Sequence, residues 1–259
     1  MTDILRKIYF AVKLKIDMYF SQTGRQYRDA LARFEKWAAE DHVPIIKVPR
    51  LYDKQTVQKM PYYAPELNFA TSIIIREKIT RLVDVGSYVV WYPMISAVVD
   101  LETVDVRPTL PPMDMFKSRK GIITALPYPD ESVQALSSLC VLEHVGLGRY
   151  GDPIGYNLDW DAALELGRVI MPGGHLILST MLGRKSIQFD AGRVYDIESL
   201  LSMFPSFEIS ETMIYDMHTL EKMTEDEMYK MCSKDSAANA LSRIFICIYF
   251  RKKEKKQTC

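Results

Sequence analysis

Three groups of residues have types and spacings that suit chemistry. Asp84-Val85-Gly86-Ser87 leaves a short apolar run. A glycine there lets the backbone approach a ligand, and a following helix would offer its N-terminus. Asp105 ends a second apolar run about twenty residues on, where an acid can accept hydrogen bonds from ribose hydroxyls. The third group is the run Glu143 to Pro153, which sets Glu143, His144, Arg149, Tyr150 and Asp152 among Gly146, Gly148 and Gly151. His144 is a base for a hydroxyl proton, and Arg149 suits a carboxylate or phosphate. Each group also has a plain structural role open to it. Asp84 and Asp105 can be turn caps, His144 can bond a carbonyl beneath its loop, and Arg149 can be a surface ion pair. The spacing of Glu143, His144 and Asp152 matches no strong metal motif.

The elements that must position these groups are readable from residue 81 onward. RLVDV, ETVDV, GIITAL, SVQALSSL and HLILSTML read as strands, and YPMISAVVDL as a helix after the first. DWDAALELGRV reads as an amphipathic helix with Asp159 as its N-cap, broken by Pro172-Gly173-Gly174. A helix at DIESLLSMF, a strand at FEISETMIYD, a charged helix at TLEKMTEDEMYKM and a strand at RIFICIYF follow. Strand–helix alternation predicts a mostly parallel sheet with helices on both faces. In such a sheet ligands bind outside the carboxyl ends of the strands, so the three groups converge on one crevice. Residues 1–79 read as a helical cap and connecting segment, 80–252 as the main domain, and 253–259 as a basic tail.

The chain has 33 basic and 33 acidic side chains, so a whole-chain basic field for nucleic acid is absent and no nucleic-acid partner is expected. Residues 1–40 are net +3 and 251–259 net +4, which leaves −7 for the body. Leu5, Ile8, Val12, Ile16 and Tyr19 form one apolar stripe of a helix too charged to span a membrane. That helix either packs on the body or makes peripheral contact with a membrane surface. The four cysteines form no CxxC pair and no disulfide framework, which favours a reducing compartment, hence the cytoplasm.

The run from Leu126-Pro127-Tyr128-Pro129-Asp130 through Glu165-Leu166-Gly167-Arg168-Val169 to Pro172-Gly173-Gly174 resembles the central motifs of class I S-adenosylmethionine-dependent methyltransferases. A narrower likeness, carried by DVGSYVVWYP, LEHVGLGRYGDPI and QFDAGRVYD, is to an uncharacterised family first defined on nematode sequences. The resemblance implies a doubly wound, seven-stranded Rossmann-like α/β sheet with a helical N-terminal extension. It also implies S-adenosylmethionine as cofactor, with Asp84, Gly86, Ser87, Asp105, Leu126 and Ser138 on the cofactor side. Glu143 and His144 would then be catalytic, with Arg149, Tyr150 and Asp152 holding a small-molecule or glycan-like acceptor. The chain departs from the superfamily pattern after Gly86, where Tyr88 and Val90 replace glycines and Tyr88 or Trp91 would face the sulfonium. Those departures keep a second expectation open, a catalytically inactive methyltransferase-fold binding or scaffold protein.

Overall fold

The computed structural model describes residues 22–47, 63–107, 114–189, 191–217, 219, 221–233 and 244–255. The apolar stripe between Leu5 and Tyr19, with its membrane alternative, lies outside them. The chain divides into two compact units, Met1–Ile45 and Ile46–Cys259. In the first, helix α1 (Gln22–Glu40) buries Ala30, Phe34 and Ala38, at i, i+4 and i+8. A short strand, β1 (Ile45–Lys47), stands at the boundary.

The second unit opens with α2 (Tyr63–Arg76), whose buried stripe is Glu66, Phe69, Ala70, Ile73 and Ile74. The main sheet then builds from β2 (Arg81–Val85), β3 (Asp100–Asp105), β4 (Lys117–Lys120), β5 (Val133–Leu139), β6 (Ile170–Leu182), β9 (Phe207–Asp216), β10 (Lys222–Met223) and β11 (Ile244–Lys252). Its order is β10-β9-β11-β6-β5-β2-β3-β4. The pairs β2–β3, β3–β4, β2–β5 and β5–β6 are parallel, whereas β11 runs antiparallel to both β6 and β9. The chain leaves β2 toward β3 and β4, then returns past β2 to β5, so the order reverses between β2 and β5. A ligand crevice belongs outside that reversal.

Both faces of the sheet are buried, which explains the near-continuous apolar strands. In β11, Ile244, Ile246, Ile248 and Phe250 join one core, while Phe245, Cys247 and Tyr249 join the other. The first core also takes α4 (Leu158–Val169) and α5 (Ile197–Ser202), and it reaches Met228 of α6 (Glu225–Ser233). The second takes α2 and the short helix α3 (Tyr92–Ile95). A hairpin of β7 (Ser186–Phe189) and β8 (Gly192–Val194) extends beyond β6.

Four expectations need correction. The sheet has eight strands rather than seven, because Lys222–Met223 adds a two-residue edge to β9. The third parallel strand is Lys117–Lys120, not GIITAL. An edge strand can be fully polar, while Ile123 and Leu126 of the apolar run turn into the core. The helix expected over YPMISAVVDL is one helical turn, Tyr92–Ile95, preceded by a 3-10 turn at Val89–Trp91. Asp159 does not cap α4. Asn157 holds that position, and Asp159 is buried against Tyr195 Oη at 3.0 Å and Arg193 Nε at 3.4 Å.

Candidate active site

The exit of β2 is built around a buried carboxylate. Asp84 is fully enclosed and accepts from Ser87 N at 3.0 Å, Ser87 Oγ at 2.6 Å, Tyr92 Oη at 2.8 Å and Ser137 Oγ at 2.6 Å. Burial raises its pKa, against the pull of these donors. With both oxygens engaged by these donors it shapes the loop, and Asp84, expected on the cofactor side, is not among the residues that line the cavity. Ser87 Oγ also accepts from Leu139 N at 2.9 Å, so it staples the β2 exit to the β5 exit. Gly86 adopts φ +73° and donates to Val104 O at 3.0 Å. A Cβ there would sit 3.2 Å from Val141 Cγ1, so the close approach needs glycine.

On β3, Asp105 does reach the cavity. Its Oδ1 accepts from the Arg107 amide at 2.7 Å and from Arg107 Nε at 3.4 Å. Two residues assigned to the cofactor side stand behind the wall. Leu126 is buried, with its amide on Glu165 Oε1 at 2.6 Å, and Ser138 is buried, with Oγ on Val85 O at 3.2 Å. Gly121, Ile122, Ile123 and Thr124 form the wall in their place.

The loop after β5 folds on itself. Asp152 accepts from the amides of Gly146 at 3.0 Å, Gly148 at 3.4 Å and Tyr150 at 3.2 Å. Both carboxylate oxygens are engaged, so the acid holds the loop while its side lines the cavity. Arg193 of β8 is buried beneath and donates to the carbonyls of Val145, Gly155 and Tyr156. Arg149 donates to Ala191 O at 2.8 Å and does not line the cavity. Tyr150 does, with its ring edge-on to His144 at 5.5 Å between centroids.

The buried Glu143 and the partly exposed His144 form a loose pair. Glu143 is 1% exposed, and its Oε2 accepts from Thr180 Oγ1 at 3.0 Å. Its Oε1 lies 3.9 Å from His144 Nε2, and neither Glu143 Oε1 nor His144 Nδ1 has a hydrogen-bond partner among the described residues. Such buried orphans ask for an explanation. Burial pushes the Glu143 carboxyl up to about 7. Burial, then the Arg149 guanidinium, pushes the His144 imidazole down to about 3. The imidazole is therefore held in its neutral form near pH 7.

The cavity holds about 440 Å³, within the span of small-molecule sites, roughly 300–1,000 Å³. Gly86, Asp105 and the Gly121–Thr124 turn form one side, and His144, Tyr150 and Asp152 the other. These residues suit a nucleoside cofactor: one Asp105 oxygen stays free of the described residues' donors, and Gly86 leaves its wall bare. Tyr63, Arg107 and Cys140 are among the wall residues that escaped the sequence reading. Tyr63 belongs to a segment read as a connector, and its ring stacks on Tyr88 at 4.6 Å. Arg107 carried one signal, a guanidinium two residues beyond the ribose-type acid. Cys140 follows β5 at φ +54°, with Sγ 3.8 Å from Glu66 Oε2. Trp91, the other aromatic expected to face a sulfonium, is buried and donates to Thr71 Oγ1 at 3.2 Å.

A mostly parallel sheet that reverses at β2 and β5, closed by an antiparallel β11, defines the class I methyltransferase fold. Two solved structures share it. One is a provisionally assigned sarcosine dimethylglycine methyltransferase from Galdieria sulphuraria, 12% identical, with TM-score 0.53, covering 86% of this chain and 98% of that one. The other is a chain of the complex between the Haloferax volcanii Trm112 methyltransferase activator and a provisionally assigned methyltransferase. It is 12% identical, with TM-score 0.51, covering 85% of this chain and 98% of that one. Residues 126–242 match the family described as Caenorhabditis protein of unknown function, DUF268, the family that the loop after β5 resembles. No curated protein matches the chain in sequence.

Proposed function

We propose that the chain is an S-adenosylmethionine-dependent methyltransferase acting on a hydroxyl of a small-molecule or glycan-like acceptor. The observation that carries this reading is one cavity with Asp105 on one wall and His144 on the other. Asp105 would hold the ribose, and Gly86 would let the backbone approach the cofactor. The sulfonium supplies an electrophilic methyl group. His144 takes the acceptor proton. A weak base would suffice, because the O–H of the attacking oxygen becomes strongly acidic as the oxygen–carbon bond forms and the sulfur–carbon bond breaks. Glu143, 3.9 Å away, then stabilises the imidazolium. Alignment of donor and acceptor accounts for most of the rate, on the order of 7–11 kcal/mol.

The Tyr63–Tyr88 stack favours a second reading, an inactive scaffold whose aromatic pair fills the place of the cofactor loop. Calorimetric titration with S-adenosylmethionine and S-adenosylhomocysteine separates the two. A saturable heat with both ligands supports the methyltransferase. Silence at millimolar ligand supports the scaffold. Free Cys140, Cys232 and Cys247 suit a cytoplasmic protein. No helix among the described residues is long and apolar enough to cross a membrane.

A further inference from the structure

Three guanidinium groups from three elements surround the loop after β5. Arg193 is buried under it and ties up its donors on loop carbonyls and Asp159. Arg149 lies 5.4 Å from the Tyr150 ring centroid and faces away from the cavity to Ala191 O. Arg107 differs from both: it lines the cavity, and its side chain is 57% exposed. Its Cζ sits 4.2 Å over the Tyr150 ring, which fixes the guanidinium plane at the junction of the two halves of the cavity. Its Nε edge leans on Asp105 at 3.4 Å, while its Nη edge makes no hydrogen bond among the described residues. A guanidinium presents five donors in a fixed fork, so one edge can hold a carboxylate while the other takes a second anion.

The acids nearby do not cancel this donor. Asp152 is occupied by three loop amides, and Asp105 meets Arg107 only on the Nε side. The imidazole beside Tyr150 feels Arg149, Arg193 and Arg107, and all three act to keep it uncharged.

We infer that the methyl acceptor carries an anionic group, a carboxylate or a phosphate, that docks on the Nη edge of Arg107 where it lies against Tyr150. This rests on the methyltransferase reading, which makes this half of the cavity the acceptor side. It also moves the anion contact from Arg149, where the sequence placed it, to Arg107.

The test is nuclear magnetic resonance on the full-length, isotope-labelled protein saturated with S-adenosylhomocysteine. Inorganic phosphate and acetate are titrated separately at constant ionic strength. The expected result is a saturable shift of the Arg107 Nε–H and Tyr150 ring signals with millimolar affinity, stronger for whichever anion the site prefers. Arg107→Gln should abolish it, and Arg149→Gln should leave the midpoint nearly unchanged. Shifts that never saturate, that survive in Arg107→Gln, or that vanish in Arg149→Gln would overturn the inference. The underlying reading is scored separately by the Gly86 and Asp105 amides. S-adenosylhomocysteine-dependent shifts there without an anion response sink the acceptor class alone. An anion response without those shifts keeps the anion site and sinks the methyltransferase.

Discussion

Asp105 keeps one carboxylate oxygen clear of the described residues' donors, at the edge of the cavity. Asp105→Ala should weaken S-adenosylhomocysteine binding by roughly 1.5–3 kcal/mol, the worth of a charged hydrogen bond, as read by calorimetry. Glu66 makes a different kind of prediction. It stands 1% exposed on the buried stripe of α2, accepts from Ser179 Oγ, and burial pushes its carboxyl up to about 8. The folded chain therefore keeps a proton that the unfolded chain releases above the ordinary carboxylate value of 4.5. The stabilisation from this group is complete below that value and is lost as pH rises toward 8, by about 1.4 kcal/mol per pH unit. Glu66→Gln should flatten that slope. Glu143 slopes the same way and His144 the opposite way, and both cancel when variant and wild type are compared. If thermal midpoints of the two proteins run parallel from pH 5 to pH 8, Glu66 is not protonated in the fold.

At the scale of the element, the loop after β5 is a shaped object held from beneath. Gly146 and Gly148 adopt φ +80° and +70°, so the chain can wrap Asp152 with three amides. Arg193 pins it to β8 while pairing with the buried Asp159. Removing one partner of a buried pair strands the other charge, at about 3–5 kcal/mol. Arg193→Met should therefore destabilise the protein by that order in chemical denaturation, and it should loosen the His144 side of the cavity before the Asp105 side. A loss below about 1 kcal/mol, within the range of exposed pairs, would show that the pair is not buried in solution.

At the scale of the whole molecule, the cavity joins the exits of three parallel strands and both flanking cores. A ligand seated there bridges β2, β3 and the loop after β5, so it should act on global unfolding and not on one segment. Ligand at a hundred times its dissociation constant should stabilise the fold by about 2.7 kcal/mol. S-adenosylmethionine should then raise the thermal midpoint as one cooperative transition. A ligand-dependent shift confined to a sub-transition would place binding outside this cavity.

The sequence by itself determined the class of fold and the strand exits that matter, because periodicity and turn chemistry are local. Val133–Leu139, Phe207–Asp216 and the helix ending at Val169 were legible for that reason. The resemblance at Leu126–Asp130 and Glu165–Gly174 supplied the methyltransferase topology. Side-chain direction was not legible. Asp84 and Asp105 look alike as strand-end acids, yet Tyr92 and Ser137, from α3 and β5, enclose the first and leave the second open. Leu126 and Ser138 fell behind the wall, and Arg107 came forward in place of Arg149, through contacts with Tyr150 made 43 positions away in the sequence. Lys117–Lys120 became a strand without apolar residues, because its pairing with β3 supplies what hydrophobicity does not. Only tertiary packing decides which polar groups satisfy one another inside, and therefore which are left to meet a ligand.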